Sequence, residues 1–227
     1  DDHKIKQVQT VFEQKIAETE MTALRAQMNP HFIFNCLNSI KLYTLENNSE
    51  TAAGYLTMFS QLIRLVLENS RSEKITLEKE LETLRLYIEL EAMRFKDKVN
   101  YHIQVSPEID VREGERESML IEPYGESAVW HGLRHKKEGG AIAIDITQPA
   151  ENYVEVIIQD DGVGREQAIL YKSKSATKQK SFGLKMTSER IDMINQVYGI
   201  KATVEVEDLK DDKNKATGTK VIIKIPV

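Results

Sequence analysis

Residues 27–40 read Gln-Met-Asn-Pro-His-Phe-Ile-Phe-Asn-Cys-Leu-Asn-Ser-Ile, which sets a proline and a histidine side by side in a helical pattern. A proline within a helix removes a backbone hydrogen bond and kinks or restarts the helix, at about 3 kcal/mol. His31, directly after Pro30, is therefore expected at a perturbed, partly exposed turn. A neutral imidazole is a good nucleophile near physiological pH and can attack a phosphoryl group in line. A lone histidine can equally be a packing residue. Further on, Asp160-Asp161-Gly162-Val163-Gly164 follows an alternating apolar run that ends at Ile158. A carboxylate at a strand end can accept a hydrogen bond from an exocyclic amine such as that of adenine, and the glycines allow backbone to approach a ligand closely. A plain turn explains the same residues as well. Ser181-Phe182-Gly183-Leu184 opens a helix whose free N–H groups suit phosphate, after a basic, serine-rich stretch from Lys172 that fits a lid or a simple loop. Two more segments stand out: Pro123 to Gly132, with acid, hydroxyl and imidazole in close succession, and the glycine turn Thr217-Gly218-Thr219 entering a last strand.

The elements that must position these residues are legible from periodicity. Ile5, Val8, Phe12 and Ile16 recur at three- and four-residue spacing, a narrow stripe like a coiled-coil seam. Ile33, Leu37 and Ile40 continue an apolar face beyond Pro30. Asn47, Asn48 and Ser49 form a short turn with Ser49 as the expected N-cap, and a second amphipathic helix follows through Ala52, Leu56, Phe59, Ile63 and Val66. Two helices joined so closely pack antiparallel, and one hairpin cannot bury both faces, so dimerisation into a four-helix bundle is the natural outcome. Asn69 to Lys74 is polar and reads as a linker; Thr76 then caps a third helix lined by Leu77, Leu81, Leu84 and Ile88. After Phe95 the period becomes alternating, at Ile142-Ile144-Ile146, Val154-Val156-Ile158 and Val221-Ile223-Ile225, with helices around Pro123–Leu133 and Leu184–Val197 between. The expected class is α+β, a helical hairpin followed by an α/β sandwich.

Composition narrows the function classes. The chain has 227 residues and a net charge of -5, which argues against nucleic-acid binding, whose footprint is a basic face. Basic residues cluster only locally, at Arg134–Lys137 and Lys172–Lys180. No run approaches the ~20 apolar residues of a membrane span. The chain starts at Asp1 already inside a helix-like pattern, which suggests an excised fragment, so a missing span says little about the full-length protein. The single cysteine, Cys36, excludes an internal disulfide framework and lies on an apolar helix face, where a small buried hydrophobe is expected.

In this order, the four segments resemble histidine kinases of the LytS type, whose His box reads Q-M-N-P-H-F-x-F-N-x-L-N-x-I. Gln27 to Ile40 match it without exception, and with the D-x-G-x-G, G-L and G-T elements the resemblance covers nearly the whole chain. It implies a dimerisation and phosphotransfer hairpin over 1–72, then a Bergerat-type ATP-binding domain over 73–227. It implies that His31 takes the γ-phosphoryl group of ATP and passes it to an aspartate on the receiver domain of a response regulator. By the same resemblance Asp160 binds the adenine amine, Gly162 and Gly164 shape that pocket, Thr219 supports it, Gly183 and Leu184 border the phosphates, and His131 belongs to the nucleotide-binding set. Ser127 stands at the Mg²⁺ ligand, and the implied partners are a second copy of the chain and the response regulator. Many histidine kinases carry an acid directly after the phosphoacceptor; Phe32 stands here, which leaves Glu126 as the candidate general base.

The chain departs from the family in its third segment, normally P-x-V-E-N-A-I-x-H-G. Gly125 replaces the valine and Ser127 the asparagine, and Glu117 stands where proline is usual. A serine hydroxyl is a shorter and poorer Mg²⁺ ligand than an amide carbonyl. Gly125 is expected to weaken the helix by ~1 kcal/mol and to leave a hole where an apolar side chain would pack. The alternative to an active kinase is therefore a weakened or inactive signalling scaffold on the same fold. A wider Bergerat ATPase, such as a chaperone or topoisomerase subunit, would have no use for the His box.

Overall fold

The computed structural model describes residues 30–72, 74–95, 99–113, 115–117, 121, 124–125, 128–129, 136, 138–166, 191–197 and 199–227. The coiled-coil seam, the basic stretch from Lys172 and the start of the last helix lie outside the described residues. Helix α1 spans Pro30–Leu45 and α2 spans Ser49–Arg71. Asn47 turns the chain with φ 58°, and Asn48, not Ser49, caps α2: its side-chain oxygen accepts from Thr51 N–H at 3.3 Å. The amide oxygen of asparagine reaches the N3 donor one position earlier than a Ser49 hydroxyl would, so the helix begins at Ser49 itself.

The expected linker is largely regular structure. Helix α2 runs through Arg71, and Lys74–Thr76 form strand β1. The polar residue that suggested a loop, Asn69, is buried and donates to Thr83 Oγ1 at 3.1 Å, so its amide is satisfied inside a helix contact. Helix α3, Leu77–Arg94, starts as expected: Thr76 Oγ1 accepts from Lys79 N–H at 3.3 Å, with Glu78 and Glu80 in the first turn. Leu77, Leu81, Leu84 and Ile88 are all buried.

Strand β2 (Val99–Val105) follows, then β3 (Glu115–Glu117), β4 (Gly140–Ala150), β5 (Tyr153–Asp160), β6 (Thr203–Lys210) and β7 (Ala216–Pro226). The main sheet has the order β2-β4-β5-β7-β6, with β2 and β4 parallel and the other pairs antiparallel. A separate two-stranded sheet pairs β1 with β3. The alternating residues of β4, β5 and β7 all turn inward: Ile142, Ile144, Ile146, Val154, Val156, Ile158, Val221, Ile223 and Ile225 are buried. Ile191 and Ile194, from the helical segment 191–197, join them. The architecture is α+β.

One core runs through the described chain, from Phe32, Cys36, Tyr55 and Leu62 on the hairpin, across α3, to the sheet. Of the periodic positions, Ala52 is buried and Ile40, Phe59 and Val66 pack against this core, whereas Leu37 and Leu56 face outward. Phe32 and Cys36 of α1 and Ala52, Tyr55, Leu62 and Asn69 of α2 turn inward, whereas Phe34, Leu37, Leu42, Leu45, Leu56 and Leu67 are exposed. Both faces of each hairpin helix are therefore apolar.

Candidate functional site

Asp160 ends β5, at the register position opposite Thr219 of β7 and Ile142 of β4. A carboxylate at the end of a central strand is enclosed by its neighbours, and Asp160 is only 4% exposed. Its Oδ1 accepts from Gly162 N–H at 2.9 Å, and the Thr219 backbone contributes a second hydrogen bond. Burial nevertheless dominates and pushes the carboxyl up from 3.8 to about 6, the two backbone bonds and Lys136 pulling the other way and Asp161 adding to the rise. The result is a buried carboxylate at the strand end, held by two backbone donors.

The backbone around Asp160 is close-fitting. Gly218 has φ 148°, and a Cβ there would lie 1.9 Å from the Asp160 carbonyl oxygen, so only glycine lets β7 pass the end of β5. Gly164 has φ 79°, and a Cβ on it would meet Ala216 Cβ at 2.8 Å. The next residue, Arg165, makes a two-pronged ion pair with Asp208 of β6, Nε to Oδ1 at 2.6 Å and Nη2 to Oδ2 at 2.5 Å. That pair fastens the far end of the Asp160–Gly164 turn to the edge strand; its geometry is bidentate, the strongest form for Arg and carboxylate. Asp161 fastens the near end, accepting from Ala141 N–H at 2.8 Å while its own N–H bonds to Ala141 O at 3.2 Å. Lys136 Nζ sits over the same residue, 2.9 Å from Asp161 O and 3.3 Å from Oδ2. One lysine of the basic cluster at Arg134–Lys137 is thus held beside the pocket turn.

The structure brings Asp160, Gly162, Gly164 and Thr219 to one end of β5 and β7. His31 lies in α1, and its side chain is outside the described residues. Its neighbour Phe32 is buried, with its ring 4.8 Å from that of Tyr87 on α3. Glu126, Ser127, His131, Gly183 and Leu184 lie outside the described residues. Gly125 is described and corrects one expectation. It leaves no hole: a Cβ at Gly125 would lie 2.4 Å from Leu84 Cδ1, so the Leu84 side chain already occupies the valine's space. Reasoning from sequence also missed Arg165, Asp208 and Lys136 as supports of the pocket. An arginine directly after D-x-G-x-G carries no signal of its own, because its partner lies on a strand far along the chain.

Cys36 is fully buried, and its thiol is pushed up to about 11, mainly by burial. It accepts a hydrogen bond from Tyr55 Oη at 3.5 Å, and Tyr55 also reaches Leu90 O on α3 at 3.3 Å. The thiol is a packing group, as its position on the helix suggested.

Residues 19–99 match the histidine kinase family. Sensor histidine kinase/phosphatase LytS of Staphylococcus aureus is 28% identical over 193 residues, 85% of this chain. The chain is homologous to sensor histidine kinases of the LytS type. It spans 32% of the length of these curated relatives. Solved structures with a distant likeness include the histidine kinase domain of the Erythrobacter litoralis blue-light activated kinase (15% identity, 95% of this chain and 93% of that one, TM-score 0.46). Another is the mycobacterial sensor histidine kinase MprB (15% identity, 68% and 96%, TM-score 0.43). A third is histidine kinase ThkA in complex with the response regulator protein TrrA (16% identity, 96% and 66%, TM-score 0.43). Among the described residues no helix is long and apolar enough to cross a membrane.

Proposed function

We propose that this chain is the transmitter core of a sensor histidine kinase: it binds Mg·ATP, takes the γ-phosphoryl group on His31 and delivers it to an aspartate of a response-regulator receiver domain. The observation that carries the nucleotide half is the buried carboxylate of Asp160, held by Gly162 and Thr219 at the end of two strands that only Gly218 allows to meet. A buried acceptor at a strand end suits the exocyclic amine of adenine. On this reading Asp160 selects the base, Gly162 and Gly164 shape its edge, Thr219 backs it, and Gly183, Leu184 and His131 lie along the phosphates. Lys136 adds positive charge near the pocket mouth.

Ser127 supplies a hydroxyl oxygen, a hard donor of the kind Mg²⁺ takes, and is the residue that would hold it. The bound ion would neutralise phosphate charge, while the protein positions the reacting groups. His31 attacks as the neutral imidazole, and Glu126 is the residue placed by sequence to accept its proton. The apolar outer faces of α1 and α2 favour a homodimer through a four-helix bundle, which would cover Phe34, Leu37, Leu42, Leu56 and Leu67. The phosphotransfer domain would end at 72 and the ATP-binding domain begin at 73, and membrane attachment would reside in a region beyond this chain.

A second reading, a weakened or silent kinase-fold scaffold, now rests on Ser127 and Glu117, because Leu84 accommodates Gly125. The experiment is incubation with γ-labelled ATP and Mg²⁺, alongside His31→Gln. Acid-labile label that disappears in the variant, and moves to a receiver domain, supports the kinase. No label on either protein, with normal dimerisation, supports the scaffold, tight Mg²⁺-dependent ATP binding counts against it, and gain of label on Ser127→Asn would assign the cause.

A further inference from the structure

We infer that Glu80, on α3, is a positioning residue for the segment that carries Glu126 and Ser127, and that α3 ties this segment to the phosphoacceptor hairpin. The inference rests on the nucleotide-binding reading of that segment and goes beyond it. Glu80 is a buried carboxylate, 4% exposed, and its Oε1 accepts from Ile121 N–H at 2.5 Å. The carbonyl of Ile121 in turn accepts from Tyr124 N–H at 3.1 Å and Gly125 N–H at 3.3 Å. One residue, Ile121, therefore joins Glu80 to Tyr124 and Gly125 through its N–H on one side and its carbonyl on the other. A buried carboxylate is costly unless it is well partnered, so its bond to this loop amide fixes where the loop starts. One helical turn further along α3, Leu84 fills the space over Gly125. Residues four apart share a helix face, so Glu80 and Leu84 grip the segment together.

A neighbouring face of the same helix holds the hairpin by a second pair four residues apart. Thr83 accepts from Asn69 of α2, and Tyr87 packs on Phe32, the residue after His31. Tyr43 and Tyr55 add hydroxyl bonds to Met93 O and Leu90 O at the far end of α3. A shift or rotation of α3 cannot move one set of contacts without the other. Glu80 acts through Ile121 and Gly125, not by touching the nucleotide.

The test uses the 227-residue chain with three substitutions, Glu80→Gln, Glu80→Asp and Glu80→Leu. Glutamine keeps an acceptor oxygen at the same reach, aspartate withdraws it by one methylene, and leucine removes it. Two readouts are taken on folded protein. In the first, amide hydrogen exchange at Ile121, Tyr124 and Gly125 is expected to quicken about tenfold or more in Glu80→Asp and Glu80→Leu, with β4, β5 and β7 unchanged and Glu80→Gln close to wild type. In the second, the dissociation constant for Mg·ATP is expected to rise about tenfold in the same two variants and to recover in Glu80→Gln. Exchange that quickens uniformly across the sheet, or a Glu80→Gln that behaves like Glu80→Leu, overturns the inference. So does local loosening with unchanged Mg·ATP affinity. If the wild type binds no Mg·ATP, the function proposed above fails, and the exchange pattern alone still decides whether Glu80 sets the segment. Should Glu80→Leu not fold, Glu80→Asp against Glu80→Gln makes the same comparison.

Discussion

Replacing Asp160 by asparagine should make the unliganded protein more stable at pH 8 and no more stable at pH 4. In the folded chain the Asp160 carboxyl titrates near 6 instead of 3.8, chiefly because it is buried. A shift of two units is worth roughly 3 kcal/mol at about 1.4 kcal/mol per unit. Because the folded value is raised, the folded state binds the proton more tightly than the unfolded state. The stability this provides is complete below pH 3.8 and is lost as the pH climbs through about 6. Above that window the wild type carries an ionised carboxylate in a buried position, and the asparagine variant would not. Asparagine keeps an oxygen for Gly162 N–H, but its NH₂ would face the Thr219 backbone donor, a loss of about 1 kcal/mol. The net gain at pH 8 is about 2 kcal/mol, or roughly 4–8 °C in melting temperature for a chain of this size. Other carboxylates titrate in the same range, so the informative quantity is the difference between Asp160→Asn and wild type, measured by denaturant unfolding from pH 4 to 8. It should rise with pH across the window and level off above about 7. The same variant should bind ATP at least about tenfold more weakly, since an amide donor would meet the adenine amine. A difference independent of pH, or a variant less stable at pH 8, would refute the claim that burial sets the state of Asp160.

Gly218→Ala places a methyl against the Asp160 carbonyl and should destabilise by about 3 kcal/mol or abolish folding, read from the urea midpoint. Gly125→Val should cost about 1–3 kcal/mol through displacement of Leu84, and pairing it with Leu84→Ala should return part of that loss in a double-mutant cycle. Cys36, with its thiol at about 11 against an ordinary 9.0, should react with an alkylating reagent at pH 8 at least about a hundredfold more slowly than an unfolded control. Tyr55→Phe removes hydroxyl bonds to Cys36 and Leu90 and should lower stability by about 1 kcal/mol in the same unfolding assay.

The core of the sheet was readable because its strands alternate so cleanly: every inward position of β4, β5 and β7 picked out by periodicity is buried. Strand β6 was not, because as an edge strand it alternates charged with small apolar residues and buries little. β1 and β3 are three residues each and acquire their structure from pairing with one another, a long-range contact that no local pattern announces. Asp160, Gly162, Gly164 and Thr219 stood out as glycines and polar residues at strand ends, a pattern a plain turn explains as well, and it was the resemblance that grouped them. Their supports were not: Arg165 and Asp208, or Lys136 and Asp161, are joined only by the fold.

The hairpin shows where pattern reading has a built-in ambiguity. A helix that is apolar on two sides gives a periodicity without saying which side its own chain covers. In α2 the residues turned inward are Ala52, Tyr55, Leu62 and Asn69, two of them polar-tipped, while Leu56 and Leu67 remain outside. The inward choice follows from α3: its carbonyls at Leu90 and Met93 and its Thr83 hydroxyl offer partners that Tyr55, Tyr43 and Asn69 can reach, and leucine has no use for them. The polar tips thus select the face that meets α3 and leave Leu56 and Leu67 exposed. The same helix α3 that selects the inward face of the hairpin also carries Glu80 and Leu84, which meet Ile121 and Gly125. One helix therefore sets both the face the hairpin turns inward and the place where the chain at Ile121 to Gly125 begins.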